Sequence, residues 1–275
     1  MSLIRFQMLT CAIDIAVDDP EVIAALRYLV QQAEQAVEPQ ARVRYDVTGG
    51  PEGFRILEDG VLIGIEARPH DVMYVIYNRA HEAAYRTLPA HARIHAGCAT
   101  VAGRRVVLVG SKEVGKTTLI LRLIHDGIEV HGDELVLITA DGRAWPYPRL
   151  FHVRPTTFPL IPELTGREEE FPVSRLSNGQ VVYGVSPTDL GQDWRIAPAP
   201  IDAVVYLERN HGAETSAREI TPEAALQRLS QHTSFPERSV EWFALLFGLV
   251  KQARNLVLIN GGPQEAAAIV KNIWG

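Results

Sequence analysis

The sequence is poor in cysteine, in long apolar runs and in positive charge, and each shortage removes a class of function. Only Cys11 and Cys98 occur among 275 residues, with no C-x-x-C pair. Two lone thiols give no disulfide framework and no cysteine zinc site, and they suit a reducing compartment. The longest apolar run, 242–250, is nine residues with a glycine inside it. That is less than half of the roughly 20 residues a membrane helix needs. Lys and Arg number 27 against 33 Asp and Glu, a net charge of −6. Such a balance argues against nucleic acid or an anionic membrane as the main partner. Near the start, Arg5 stands alone and no apolar core of signal-peptide length follows it. Internal repeats and low-complexity tracts are also missing. The expectation is a soluble, cytoplasmic protein with no nucleic-acid and no membrane partner.

The sequence has an ordinary globular composition, 47% hydrophobic and 22% charged, over a length that accommodates one large or two unequal domains. It also has one dense local pattern. Gly110, Ser111, Lys112, Glu113, Val114, Gly115, Lys116 and Thr117 fill G-x-x-x-x-G-K-[ST] at every fixed position. Residues 106–109 form a short β-branched run of the kind found in strands buried on both faces. After the loop, Leu119, Ile120, Leu123 and Ile124 recur at helical spacing, and Gly127 marks the stop. Strand, glycine loop and helix in that order give the pattern physical meaning. The glycines let backbone N–H groups turn inward around phosphate oxygens, and the helix N-terminus adds the positive end of a dipole. Lys116 is then expected to reach the β- and γ-phosphates of ATP, and the Thr117 hydroxyl to ligate Mg²⁺. Thr118 is counted with the loop as nucleotide-binding. A chance glycine turn is the bland alternative, and the flanking elements speak against it.

The chain around this loop reads as two parts. Residues 1–88 form a small α+β accessory domain. It has strands within 4–17, a helix from Asp19-Pro20 to about residue 37, strands over 42–47, 53–57 and 61–66, and a helix over 70–85. Residues 89–275 carry the loop. A single strand is expected over 94–101, then the loop strand and helix, then an acidic pair, Asp133-Glu134, bracketed by apolar residues. A carboxylate at the end of a buried strand holds Mg²⁺ or the attacking group in phosphoryl-transfer enzymes; a surface turn is the alternative. Residues 143–171 carry too many prolines for helix or central strand, leaving a substrate-facing segment or a rigid surface loop. Residues 181–183 and 203–207 are expected in the main sheet, followed by helices over 222 onward and 240–253, a strand at 256–259 and a terminal helix. Cys98 is read as a small core residue, and His125 and His131 as structural or exposed. His95 lies before the loop strand, either as a packed strand-end histidine or near the γ-phosphate. Arg149, Arg154 and Arg195 are equal candidates for a charge-stabilising arginine.

Several of these stretches together carry a family likeness. His95-Ala-Gly-Cys-Ala, the glycine loop, Leu123-Ile-His-Asp-Gly127 and Gly132-Asp-Glu-Leu-Val136 resemble the HPr kinase/phosphorylase superfamily, and in particular the HPr-kinase-related proteins of peptide-modification gene neighbourhoods. The likeness covers roughly residues 88–275 and is specific over 95–137. It implies an α/β fold, a P-loop phosphoenolpyruvate-carboxykinase-like kinase core beside the α+β accessory domain. It places the family's histidine on His95, its loop lysine on Lys116 and its metal-binding hydroxyl on Thr117. The family's acidic motif is commonly Asp-Asp; here Gly132 and Asp133 occupy it, with Glu134 next. That leaves Asp133 as base, as Mg²⁺ neighbour, or as both in turn. Glu113 stands where the bifunctional enzymes carry glycine, and their downstream glycine-rich signature is missing, which weakens both HPr as substrate and phosphorylase activity.

The resulting expectation is an ATP- and Mg²⁺-dependent kinase that phosphorylates a hydroxyl, a serine of a peptide or protein substrate. Asp133, His95, Glu134 and Lys116 are its catalytic candidates, Thr117 and Asp133 its metal ligands, and a homo-oligomer its expected state. The alternatives are a small-molecule kinase, a phosphoenolpyruvate-carboxykinase-like phosphotransferase, or a non-catalytic ATP-binding regulatory module.

Overall fold

A computed structural model describes residues 2–30, 33–88, 91–175, 179–210, 214–235 and 239–275. The chain is α/β and forms two compact units. One comprises Met1–Leu88, Pro148–Pro155 and Arg167–Ser186; the other comprises Pro89–Tyr147, Thr156–Gly166 and Pro187–Gly275. Among the described residues no helix is long and apolar enough to cross a membrane.

The first unit is built on a five-stranded sheet in the order Ser2–Met8, Cys11–Val17, Ala41–Gly50, Gly53–Glu58, Val61–Glu66. Only the second and third strands are parallel, and the chain crosses between them through the helix Pro20–Leu26. Asp19 caps that helix, accepting from the N–H groups of Glu21 and Val22 at 2.9 and 3.0 Å, with Pro20 at the first helical position. The helix is shorter than its apolar spacing predicts. Its last turn tightens into three-residue bonds, Tyr28 N–H to Ala25 O and Leu29 N–H to Leu26 O, and both side chains turn into the core. Ile13, Ile15, Tyr45, Val47 and Ile56 from the sheet pack with Val72, Met73, Ile76 and Ala80 of the helix Pro69–Arg86.

A three-stranded antiparallel sheet, Phe151–Val153, Val181–Val185, Val173–Arg175, completes this unit. Residues 181–183 therefore leave the main sheet to which their sequence assigned them. Val182 packs instead into the first unit's core. An isolated apolar triplet carries no information about its partner strands. The proline-rich stretch is likewise no surface loop. Beside and between its prolines it buries Trp145, Tyr147, Phe151 and Phe158, each at most 7% exposed.

The second unit holds a six-stranded sheet in the order Glu129–Gly132, Ala96–Val101, Arg104–Val109, Ala203–Arg209, Arg254–Asn260, Ser216–Glu219. The strands from 104, 203 and 254 are parallel. Helices Pro222–Gln231 and Val240–Gln252 cover one face, where Leu229, Trp242, Leu246 and Val250 meet Cys98, Val107, Val109, Val204, Tyr206 and Val257. Alternation turns Val106, Leu108, Val205 and Leu258 to the opposite face, and these are buried too. Burial on both faces explains the unbroken apolar runs of these strands. A smaller antiparallel sheet, Ala144–Pro146, Val136–Thr139, His91–Ile94, Thr233–Ser234, lies in the same unit, with Pro146 on its edge strand.

Two paired segments pass between these sheets. The strand expected over 94–101 breaks at His95, with His91–Ile94 in the small sheet and Ala96–Val101 in the large one. Its partner does the same, with Glu129–Gly132 in the large sheet and Val136–Thr139 in the small one. The crossing residues are His95 on one segment and Asp133-Glu134 on the other. A register shift between Val130 and Gly132 prepares the turn.

The first unit's core makes stability depend on pH. His81 is buried between Tyr77 and Tyr85, and burial, with Arg149 and His152 adding, pushes its pKa from 6.5 down to about 3. A histidine depressed in the folded state is neutral there but protonated in the unfolded chain below pH 6.5. Its stabilising contribution is therefore complete above 6.5 and is lost as pH falls toward about 3. The melting temperature of the wild type should drop between pH 7 and pH 5, and His81→Phe should flatten that slope. Parallel curves for the two proteins would assign the pH dependence to other groups.

Candidate functional site

Strand direction brings the sequence candidates to one edge. Arg104–Val109 ends there at Gly110. Ala96–Val101 runs antiparallel to it, with Ala96 opposite Val109, so His95 enters at the same edge. Glu129–Gly132 reverses direction again, so Asp133 leaves at that edge. Arg254–Asn260 runs parallel to the loop strand through Ala203–Arg209 and ends there with Asn260. Ligand crevices of open α/β sheets form at such edges, outside the carboxyl ends of parallel strands.

The loop itself is tightly built. A Cβ on Gly110 would lie 2.8 Å from Val114 Cγ1 and 3.2 Å from Leu207 Cβ, so only glycine fits there. Ser111, Lys112 and Glu113 are exposed and Val114 is buried. Glu113 has φ +67° and Gly115 has φ +94°, so two left-handed residues bracket Val114. Gly115 caps the helix Lys116–His125, whose N-terminus begins at the loop lysine. Thr118 Oγ1 lies 3.5 Å from Thr157 Oγ1.

Lys116 is only 7% exposed, and its Nζ lies 2.9 Å from His95 Nε2 and 3.2 Å from the Gly110 carbonyl. An ammonium can only donate, so His95 accepts at Nε2 and carries its proton on Nδ1. That N–H donates to the Glu134 carbonyl at 3.1 Å. Burial, and then the Lys116 charge, holds the His95 pKa below its usual value, which agrees with this neutral tautomer. Burial also lowers the pKa of Lys116, while Asp133 and Glu134 oppose the shift from nearby. The ammonium thus has two neutral acceptors within hydrogen-bond reach and negative charge close by. Desolvating a cation costs several kcal/mol unless charge offsets it, and here Asp133 and Glu134 supply that charge through space.

Thr117 Oγ1 donates to Asp133 Oδ2 at 2.9 Å, and Asp133 is 4% exposed. Two hard oxygen donors beside the glycine loop fit Mg²⁺, which takes one or two protein oxygens and completes its octahedron with water and phosphate. Among the described residues no group of three or more His, Cys, Asp or Glu could hold a metal.

The remaining candidates separate. Glu134 reaches the cluster through its backbone carbonyl, which accepts from both His95 Nδ1 and the Ala96 N–H. Arg149 and Arg154 belong to the other compact unit, where Arg149 lies over the Tyr77 ring and donates to His152. Arg195 pairs with Asp193 at 3.6 Å, and its carbonyl accepts from His131 Nδ1. His131 also accepts from Thr100 and is pushed down to about 4 by burial, the behaviour of a structural histidine. Cys98 is fully buried, and burial raises its thiol pKa.

Two residues escaped sequence reasoning. His232 closes the helix Pro222–Gln231, its carbonyl accepts the His95 N–H at 3.0 Å, and burial, then the Lys116 charge, holds its pKa below the usual value. No sequence pattern marks it. Asn260 donates from Nδ2 to the Val114 carbonyl at 3.1 Å across 146 positions. A polar residue ending the apolar run 256–259 before Gly261-Gly262 was its available signal.

No protein-family model matches the chain, and no curated protein sequence matches it. Among solved structures the chain is similar to the HPr(Ser) kinase/phosphatase from Coxiella burnetii. The identity is 10% and the TM-score 0.32, over 66% of this chain and 95% of that one. At that score the likeness assigns no residue and no chemistry here.

The left-handed backbone of Glu113 sets a test of the loop. A non-glycine residue there costs roughly 1–2 kcal/mol, which glycine avoids at some expense in unfolded-chain entropy. Glu113→Gly should leave the melting temperature unchanged or raise it, by up to about 1 kcal/mol of stability. Glu113→Val should lower it, because a β-branched residue tolerates positive φ poorly. Equal losses in both variants would show that the Glu113 side chain, rather than the turn, holds this conformation.

Proposed function

We propose that this protein is an ATP- and Mg²⁺-dependent kinase with a P-loop, phosphoenolpyruvate-carboxykinase-like core in its second compact unit, transferring the γ-phosphoryl group to a hydroxyl. The observation that carries the proposal is the joining of the loop hydroxyl to the strand-end carboxylate, Thr117 Oγ1 to Asp133 Oδ2 at 2.9 Å, beside a buried loop lysine with neutral acceptors. Turned inward, the loop N–H groups and the helix N-terminus bind the triphosphate, and Lys116 neutralises its β- and γ-oxygens. Thr117 and Asp133 would hold Mg²⁺, which when bound neutralises charge on the phosphate oxygens.

Residue roles follow from the hydrogen bonds. His95 holds the Lys116 ammonium from one side and the Gly110 carbonyl holds it from another, fixing the charge where phosphate arrives. The acceptor oxygen forms its bond to the γ-phosphorus as the bond to the β-bridging oxygen breaks, and the electron pair leaves on ADP. The hydroxyl proton passes to a carboxylate, for which Asp133 is the candidate, with Glu134 in support. For the acceptor we propose a serine of a peptide or protein. This follows the family resemblance of residues 95–137, with residues 1–88 as the docking domain.

Lys116→Ala should largely abolish Mg-ATP turnover, since phosphoryl transfer relies on positioned charge. Undiminished binding by calorimetry and undiminished turnover would sink the phosphate-loop assignment. Asp133→Asn keeps size but loses charge and proton affinity. Nucleotide should still bind while transfer falls at least about a hundredfold; activity within a few-fold of wild type would give the role to another group. Radiolabel transfer from ATP into candidate peptides, read by mass spectrometry, tests the acceptor. Label found only in small metabolites would replace the peptide by a small-molecule substrate.

A further inference from the structure

The loop turn that would face the phosphates is strained and is held from outside. Glu113 and Gly115 both have positive φ, and the Val114 carbonyl between them accepts from Asn260 Nδ2 at 3.1 Å. Asn260 ends the strand Arg254–Asn260, two strands from the loop strand, so the contact ties the loop to the rigid sheet. Its amide lies close against the glycine, where a Cβ on Gly115 would meet Nδ2 at 2.7 Å. The side chain is 3% exposed, and its Oδ1 is buried without a hydrogen-bond partner among the described residues. Burying an amide with half of its capacity unmet costs free energy. The residue bears that cost while its N–H₂ engages a single loop carbonyl.

We infer that Asn260 is a positioning residue of the phosphate loop, an inference that rests on the nucleotide-binding proposal above. In a trans peptide the carbonyl and the following N–H point in opposite directions. Fixing the Val114 carbonyl toward Asn260 therefore aims the Gly115 N–H to the side of the loop away from Asn260. Successive N–H groups in alternating right- and left-handed backbone form an anion-binding nest, and left-handed non-glycine backbone persists only where neighbours over-determine it. Asn260 is such a neighbour. It holds the nest open for a β- or γ-phosphate before nucleotide arrives and touches no substrate itself.

The test is calorimetry of the full chain with Mg-ATP, Mg-ADP and AMP for wild type, Asn260→Ala and Asn260→Ser, alongside melting curves. Serine is polar but too short to span the contact. In both variants ATP and ADP affinity should fall about tenfold or more, the scale of one lost charge-assisted hydrogen bond. AMP affinity, which needs no β-phosphate, should stay within about twofold. ATP affinity within about twofold of wild type in a folded variant overturns the inference and leaves the phosphate-loop proposal standing. Equal losses for all three nucleotides also overturn it, showing general damage. A wild-type chain that binds none of them fails the functional proposal itself. Should neither variant fold, the wild type decides by nuclear magnetic resonance. Mg-ATP must shift the Gly115 amide and slow its exchange, and an unmoved Gly115 amide refutes the role.

Discussion

A buried ammonium governs the second unit. Lys116 lies at the first turn of a helix, at the end of a strand buried on both faces, with water largely excluded. Its hydrogen-bond acceptors, His95 Nε2 and the Gly110 carbonyl, carry no formal charge. Taking an ammonium out of water costs several kcal/mol, and hydrogen bonds to neutral acceptors return only about 1.5–3 kcal/mol each. The structure meets the remainder with Asp133 and Glu134, whose charges act on Lys116 through space. Histidine is needed here as a neutral acceptor, and its tautomer is set from behind by the Glu134 carbonyl. One chain of bonds thus links ammonium, imidazole and backbone, and it requires His95 and Glu134 to sit side by side.

That requirement explains the passage of two segments between sheets. If 91–101 ran straight through one sheet, position 95 would have been an ordinary ladder residue, its N–H and carbonyl spent on neighbouring strands. Breaking the strand at His95 sends its N–H to the His232 carbonyl. The matching break at 133–135 frees the Glu134 carbonyl to accept from both the Ala96 N–H and the imidazole. The same break lets Asp133 leave the edge strand and reach Thr117. Position in the fold, more than residue type, separates the two acidic neighbours. Asp133 contributes a carboxylate to the cluster, while the bonds that tie Glu134 to His95 and Ala96 come from its main chain.

The parts of this arrangement that are local were legible in the sequence. Residues 106–125 show strand, loop and helix because each has its own period and its own breaker, and Asp133 was found as a carboxylate at a strand end. The parts that depend on distant partners were not. The triplet 181–183 is apolar enough for any sheet, and only packing against the first unit's core assigns it. The helix from Pro20 stops at Leu26 because Tyr28 and Leu29 are drawn into that core, although the later apolar positions keep helical spacing. His95 could be named from its place before the loop, yet its role as an acceptor for Lys116 needed the geometry. Asn260 lies 146 positions from the carbonyl it holds, beyond any local pattern.

Glu113 shows how the loop tolerates a residue that its backbone disfavours. Its side chain is exposed, so a left-handed conformation causes no burial clash and costs only the local repulsion of Cβ with the main chain. The next residue, Val114, is buried, and its side chain fills the space beside Gly110. Gly115 is then pressed against the Asn260 amide. Anchors on both sides of Glu113 therefore set its φ from outside, and a relaxed right-handed conformation would have to pull Val114 out of its pocket or break its carbonyl from Asn260. Burying a valine side chain is worth about 1.5–3 kcal/mol, and one neutral hydrogen bond adds about 1 kcal/mol. Together these exceed the roughly 1–2 kcal/mol of left-handed strain. The turn keeps its shape because the sheet and the pocket outweigh the preference of a single residue.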